Sequence, residues 1–171
     1  MKNPGCGGPC SSAAERQATY KALEQALAQN LTRAIGVSNF KTEQIKEILA
    51  TATTPPALNQ CSMHIGGHDD DTIQFCKVQG ITYEAYSPLG GDDLGGRSVL
   101  TYPAVKSIAE AHSVSSAQVA LRWVVQQGCT LATATGNPDY MAEDLATLSS
   151  FSLTEAEMAI LSAVHGLPPP V

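Results

Sequence analysis

The sequence predicts an α/β fold built on a parallel sheet, and three observations carry that expectation. Four short apolar segments, Arg33 to Val37, Ala57 to Cys61, Ile81 to Tyr86 and Thr130 to Ala134, read as strands. Stretches with apolar residues at helical spacing separate them, and strands that alternate with helices pair in parallel through right-handed crossovers. Polar residues gather at or just past the strand ends, at Ser38-Asn39, Asn59-Gln60, Tyr86-Ser87 and Thr133 to Thr135. In such folds the functional loops lie at the strand C-termini.

Residues 1 to 11 carry Pro4, Gly5, Gly7, Gly8 and Pro9 between two cysteines and read as a loop, because Gly and Pro interrupt helix and ladder alike. Ser12 with Glu15 three positions on forms a capping box, and Ala22, Leu23, Ala26 and Leu27 give the helix that follows an apolar stripe. After the first strand, Ile45, Ile48, Leu49 and Ala52 mark a second amphipathic helix, stopped before Pro55-Pro56. The acidic run Asp69-Asp70-Asp71 opens a third, since negative charge suits a helix N-terminus, and Gly80 closes it. Beyond a glycine-rich loop from Gly90 to Gly96, Pro103 begins a helix carrying Val105, Ile108 and Ala109. Ser115 with Gln118 caps the next, which ends at Gly128. Asn137-Pro138 opens a helix with Met141, Leu145 and Leu148 on one face, and Thr154 with Glu157 caps the last, ahead of a frayed Pro-rich tail over 166 to 171.

The chain of 171 residues, 43% hydrophobic and 15% charged, is enough for one domain with a sizeable core, placed at residues 12 to 165. A net charge of -6 argues against a nucleic-acid or anionic-membrane surface, which would need a basic face. Five scattered cysteines without a signal peptide argue against a secreted disulfide framework and favour the reducing cytoplasm. The longest apolar stretches fall far short of the roughly 20 residues that span a bilayer, so the chain is read as soluble.

Several clusters invite sharper readings. His64 and His68 beside Asp69, Asp70 and Asp71 could be drawn as a metal site, but three consecutive carboxylates are better explained as a solvated helix start. Cys6 and Cys10 do not have Cys-x-x-Cys spacing and lack a second pair. Asp92 and Asp93 in the glycine-rich loop would repel phosphate, which argues against a phosphate cradle. Ser38-Asn39 could serve as a turn and helix cap, and Tyr86 as an aromatic packed under a loop.

Five motifs occur together in order: Val37-Ser38-Asn39-Phe40, Asn59-Gln60, Ala85-Tyr86-Ser87-Pro88-Leu89-Gly90, Ala117-Gln118-Val119-Ala120-Leu121-Arg122-Trp123 and Glu143-Asp144-Leu145. Their combination resembles the C-terminal half of an aldo-keto reductase over roughly residues 12 to 164. The resemblance implies a partial (β/α)8 TIM barrel of about four C-terminal βα units plus a C-terminal helix; a whole barrel needs about 250 residues and eight strands. It also implies reduction of an aldehyde or ketone by hydride from NADPH. By resemblance, Ser38, Asn39 and Gln60 would hold the nicotinamide carboxamide, Tyr86 would stack on the ring, and Ser87 and Leu89 would contact the pyrophosphate side. Asn and Gln supply both the donors and the acceptors that an amide needs.

Two departures qualify this. The family's catalytic Asp, Tyr and Lys belong to segments upstream of residue 1, and Lys2-Asn3-Pro4 falls where its His-x-Pro would stand, so no catalytic residue is assigned. At the adenosine end, the Lys-Ser pair and the later Arg for the 2′-phosphate become Ala134-Thr135 and Tyr140, Glu143 is retained, and Asp144 replaces an Asn. Loss of both cations should weaken NADPH and blur its preference over NADH. The expectation is a truncated reductase, inactive alone. The alternative, from another class, is a non-catalytic half-barrel that binds a nucleotide or a protein partner, with self-association through open sheet edges near Arg33 to Val37 and Thr130 to Ala134.

Overall fold

The structure, a computed structural model, describes residues 12–90 and 99–165. The readings of residues 1 to 11, of the correspondence at Lys2, of the glycine-rich loop from Gly91 onward and of the tail from Gly166 lie outside the described residues. In chain order the elements are α1 (Ala13–Ala28), β1 (Val37–Ser38), α2 (Thr42–Leu49), β2 (Leu58–Ser62), α3 (Asp70–Gln79), β3 (Thr82–Tyr86), a 3-10 turn (Val99–Thr101), α4 (Pro103–His112), α5 (Ser116–Gln126), β4 (Thr130–Ala132), α6 (Pro138–Ala146) and α7 (Glu155–Ser162). The strands form a sheet in the order β1-β2-β3-β4, with Val37 opposite Asn59 and Ser38 opposite Gln60 in a parallel register.

The helix starts follow from local chemistry. Ser12, Ser115 and Thr154 each accept from the third residue of their helix, whose Glu15, Gln118 or Glu157 side chain reaches back to the cap N–H. Asp69 accepts from the Thr72 N–H to cap α3, and Gly80 ends that helix in the left-handed conformation. Asn137 caps α6 with Pro138 at the first helical position.

The strands depart from expectation. The first is not a buried run over 33 to 37: Arg33 and Ala34 are exposed, and the Thr32 hydroxyl takes the Ala34 carbonyl at 2.9 Å, so the ladder begins only at Val37. The second runs from Leu58 on to Ser62, which places Asn59-Gln60 inside the strand rather than at its end, and the fourth stops at Ala132 rather than Ala134. In β2 and β3 burial alternates, with Asn59, Cys61, Tyr83 and Ala85 buried while Leu58, Gln60, Ser62, Glu84 and Tyr86 are half-buried. The period of two puts Gln60 and Glu84 on the less covered face of their strands.

Two compact units can be distinguished: the described residues of Met1–Cys61 with Asp69–Glu84, and those of Ser62–His68 with Ala85–Val171. In the first, Tyr20, Ile35 and Ile48 form a core joined by Leu27, Val37, Phe40 and Ala52. The Tyr20 hydroxyl donates to the Thr54 carbonyl at 3.0 Å, and Glu24 accepts from the N–H groups of Thr53 and Thr54. In the second, Trp123 is fully buried and its indole N–H donates to Ser162 Oγ at 3.0 Å, while Val105, Val119, Leu121 and Leu161 fill the space around α4, α5 and α7.

Candidate functional site

The end of β1 is built by a close backbone approach. A Cβ on Gly36 would lie 2.8 Å from the Leu58 carbonyl oxygen, so only glycine lets the chain enter β1 this near to β2. After Ser38 the chain reverses at Asn39, whose φ of 58° is left-handed, a conformation Asn tolerates better than most residues. Asn59, with no exposed surface, fixes the far side of this turn: its Nδ2 donates to the Phe40 carbonyl at 2.9 Å and its Oδ1 accepts from the Phe40 N–H at 3.3 Å.

Gln60 is the hub of the polar groups that remain. Its backbone carbonyl accepts from the Asn39 N–H at 2.7 Å and from Ser38 Oγ at 3.0 Å, while Asn39 Nδ2 donates to Ser38 Oγ at 3.0 Å. The Gln60 side chain donates through Nε2 to Glu84 Oε1 at 2.6 Å. Ser38, Asn39 and Gln60 are thus brought into one hydrogen-bonded group, and neither Ser38 nor Asn39 caps α2, whose first N–H partner is Gln44 reaching back to Lys41.

Two neighbours set the electrostatics. Lys41 Nζ pairs with Asp69 at 2.9 Å, which pushes the Lys41 ammonium up. Burial alone would raise Asp69, but its hydrogen bonds to Lys41 and Thr72 outweigh that and hold the carboxyl below the usual range. Burial pushes the Cys61 thiol up to about 11, so it stays protonated at neutral pH.

At the end of β3, Tyr86 is half-buried and its carbonyl accepts from the Met63 N–H at 3.2 Å. The next residue, Ser87, has a φ of 52°, and its carbonyl accepts from the Gly90 N–H at 2.9 Å, closing a tight turn. Ser87 and Leu89 line a groove of about 380 Å³ with Ala132, Thr133 and Ala134. Thr133 and Ala134 also line a larger groove of about 460 Å³ that holds Thr135 and Asp144, floored by Leu121, Val125 and Leu131. Thr135 Oγ1 accepts from the Asn137 N–H at 3.1 Å, leaving its proton to donate. Burial, then the Glu143 carboxylate, raises Asp144 above the usual carboxylate range. Glu143 is exposed and lines neither groove; its carbonyl accepts from Gln118 and Thr147.

The motif reading left out Glu84, the Asn59 clamp and Thr133 as a wall of both grooves. A lone carboxylate inside the apolar run from Ile81 to Tyr86 was the available signal for Glu84. His64 is buried, with Nδ1 within 3.0 Å of the Ile65 carbonyl, and a Cβ on Gly67 would meet its ring.

Known proteins are similar to this chain in sequence and fold. The sequence pattern of the Aldo/keto reductase family matches residues 9–165. Protein REDOX 2 of Catharanthus roseus is 36% identical over 154 residues, covering 89% of this chain and 46% of that protein. NADPH-dependent codeinone reductase 1-2 of Papaver somniferum is 36% identical over 150 residues, covering 86% and 46%. Among solved structures, the aldo-keto reductase MGS-M4 from a deep-sea metagenome library superposes with a TM-score of 0.82 at 25% identity, over 91% of this chain and 56% of that one. The chain therefore spans about half the length of the curated relatives it matches, and its parallel sheet and helices correspond to part of their (β/α)8 barrel. With its strand-end motifs, its sheet and its relatives in agreement, this chain belongs to the aldo/keto reductase family.

Proposed function

We propose that this chain carries the cofactor-holding part of an NADPH-dependent reductase of aldehydes or ketones. The observation that supports this most is the hydrogen-bonded group of Ser38, Asn39 and Gln60, at the end of β1 and the middle of the adjacent β2. Its donors and acceptors match those of a primary amide, and members of the family generally use NAD(P)H. A bound dihydronicotinamide would supply the hydride. In this reading Ser38, Asn39 and Gln60 hold its carboxamide, Tyr86 presents an aromatic face to the ring, and Ser87 and Leu89 flank the pyrophosphate. Orienting the ring in this way is the chain's contribution to rate, because hydride transfer depends on alignment.

Thr135, Glu143 and Asp144 would meet the adenosine. The two carboxylates and the absence of a cation at Ala134 and Tyr140 favour a ribose hydroxyl over a 2′-phosphate, so NADPH should bind weakly and with little preference over NADH. The proton-donating Tyr, its Lys and the Asp stand, in the family resemblance, upstream of the part this chain matches. Reduction should therefore need a polypeptide that supplies them. Titrating NADPH into the 171-residue chain while following nicotinamide fluorescence, then adding 4-nitrobenzaldehyde, tests both parts. Saturable binding without turnover is expected. No binding would overturn the cofactor role, and sustained turnover would overturn the need for further groups.

A second reading is favoured by a different observation. Tyr140, Met141, Leu145 and Leu148 on and beyond α6 are 52 to 71% exposed, and β1 and β4 end the sheet order. An apolar face on α6, in a sheet whose order ends at β1 and β4, favours pairing with a second copy. Light scattering should then find a dimer, and a monodisperse monomer would sink this reading. Among the described residues no helix is long and apolar enough to cross a membrane. The free, buried thiols of Cys61, Cys76 and Cys129 suit a reducing cytoplasm.

A further inference from the structure

Glu84 has no part in the family reading, yet it makes a short hydrogen bond to a residue assigned to the head group. Gln60 and Glu84 lie in phase on the less covered face of β2 and β3, and Gln60 Nε2 stands 2.6 Å from Glu84 Oε1. Only one orientation of the amide satisfies this contact. Turning the amide over would set the Gln60 oxygen against the carboxylate oxygen at the same short distance, two acceptors with no proton between them. The 2.6 Å separation marks a short hydrogen bond, so the orientation is well held.

Ser38 is constrained in the same sense. Its hydroxyl proton is directed at the Gln60 carbonyl, and it accepts from Asn39 Nδ2, so what it can still offer a ligand is a lone pair. The contact to Glu84 uses one of the two Nε2 protons, and by preventing the amide from turning over it keeps the acceptor Oε1 of Gln60 on the side away from the carboxylate, where a ligand can meet it.

Building on the head-group role proposed above for Gln60, we infer that Glu84 is a positioning residue that makes this site select a head group bearing an N–H donor. By holding Gln60 through its nitrogen, Glu84 presents the Gln60 oxygen, which fits the NH₂ of a carboxamide and repels a head group that offers only a carbonyl in its place. Glu84 acts through Gln60 and need not touch the ligand.

The test compares NADP⁺ with its 3-acetylpyridine analogue, which exchanges the carboxamide NH₂ for a methyl group. Dissociation constants are measured by calorimetry for the 171-residue chain, Glu84→Ala, Glu84→Gln and Gln60→Ala. The unaltered chain should favour NADP⁺ by about fivefold, the scale of one net hydrogen bond. In Glu84→Ala the amide is free to turn and donate to the acetyl oxygen, so the ratio should fall toward unity. Glu84→Gln still offers an acceptor oxygen and should restore most of it, which a purely structural role for the carboxylate would not predict. In parallel, the side-chain NH₂ of Gln60, identified by its disappearance in Gln60→Ala, should shift in the ¹H–¹⁵N spectrum of Glu84→Ala. An unchanged ratio in Glu84→Ala, where Gln60→Ala does lower it, overturns the inference and leaves the head-group site standing. If the unaltered chain binds neither dinucleotide, or Gln60→Ala leaves the ratio untouched, the head-group reading itself is wrong and the inference falls with it.

Discussion

Asn59 and Gln60 are adjacent and chemically alike, yet the pleat of β2 sends them to opposite faces with opposite duties. Asn59 is fully buried and satisfies both the N–H and the carbonyl of Phe40, while Gln60 remains half-buried beside Ser38. Replacing Asn59 with Ala would leave the Phe40 groups without those partners, at a cost of about 1 to 3 kcal/mol. Urea unfolding should register that loss, and NADPH affinity should drop with it because the Ser38-Asn39 turn is no longer held. A variant as stable as the parent would show that the clamp is dispensable. Gly36→Ala should destabilise on a similar scale, about 1 to 3 kcal/mol for an overpacked contact, since its methyl group would meet the Leu58 backbone rather than a movable side chain. The sequence identifies the Asn-Gln pair, but which member is the buried clamp and which stays half-buried beside Ser38 depends on the parity of the strand, and that is fixed by pairing with β1.

Helix caps proved readable because each is decided within four residues. Ser12 with Glu15, Ser115 with Gln118 and Thr154 with Glu157 all form the reciprocal bonds that their spacing implies. Strand limits depend on distant partners, and there the reading overran, at Arg33 to Gly36 and again at Thr133 and Ala134. The caps also carry a pH dependence. Burial raises Glu157, but its bonds to Thr154 and His112 outweigh this and lower it, as Lys41 and Thr72 do for Asp69. A carboxyl whose folded-state pKa lies below its unfolded one stabilises the fold above the unfolded value, and that stability is lost as pH falls through the folded value. The urea midpoint should therefore hold from pH 7 to about 5 and decline below about 4, where model carboxylates titrate. Asp69→Asn retains a good capping side chain while removing the charge that faces Lys41. Its midpoint should fall less steeply on acidification, and an identical slope in parent and variant would exclude Asp69 as a source of the acid sensitivity.

Across the whole molecule, the order and parallel pairing of the strands were legible, because alternation of strand and helix leaves little other choice. Of the four polar clusters, Ser38-Asn39, Tyr86-Ser87 and Thr133 to Thr135 were legible as strand ends, whereas Asn59-Gln60 lies inside β2 and the bonds within the clusters were not legible. The adenosine-end residues offer the sharpest test of how far the family's cofactor role carries into this chain. Ala134 and Tyr140 are both exposed, Ala134 lines both grooves, and Asp144 is half-buried beside Glu143 with its carboxyl raised by burial and by that neighbour. This end therefore offers acidic side chains where a 2′-phosphate would need cations. Installing Ala134→Lys together with Tyr140→Arg should add charge-assisted hydrogen bonds worth about 1.5 to 3 kcal/mol each if fully formed. The preference for NADPH over NADH, measured as the ratio of their dissociation constants, should rise at least tenfold, and the gain should shrink as salt is added. Because both substitutions sit on exposed positions, stability should change little, so the ratio reports binding rather than folding. An equal gain for NADH and NADPH would mean that the new cations meet the pyrophosphate, and no gain for either would place the adenosine away from α6.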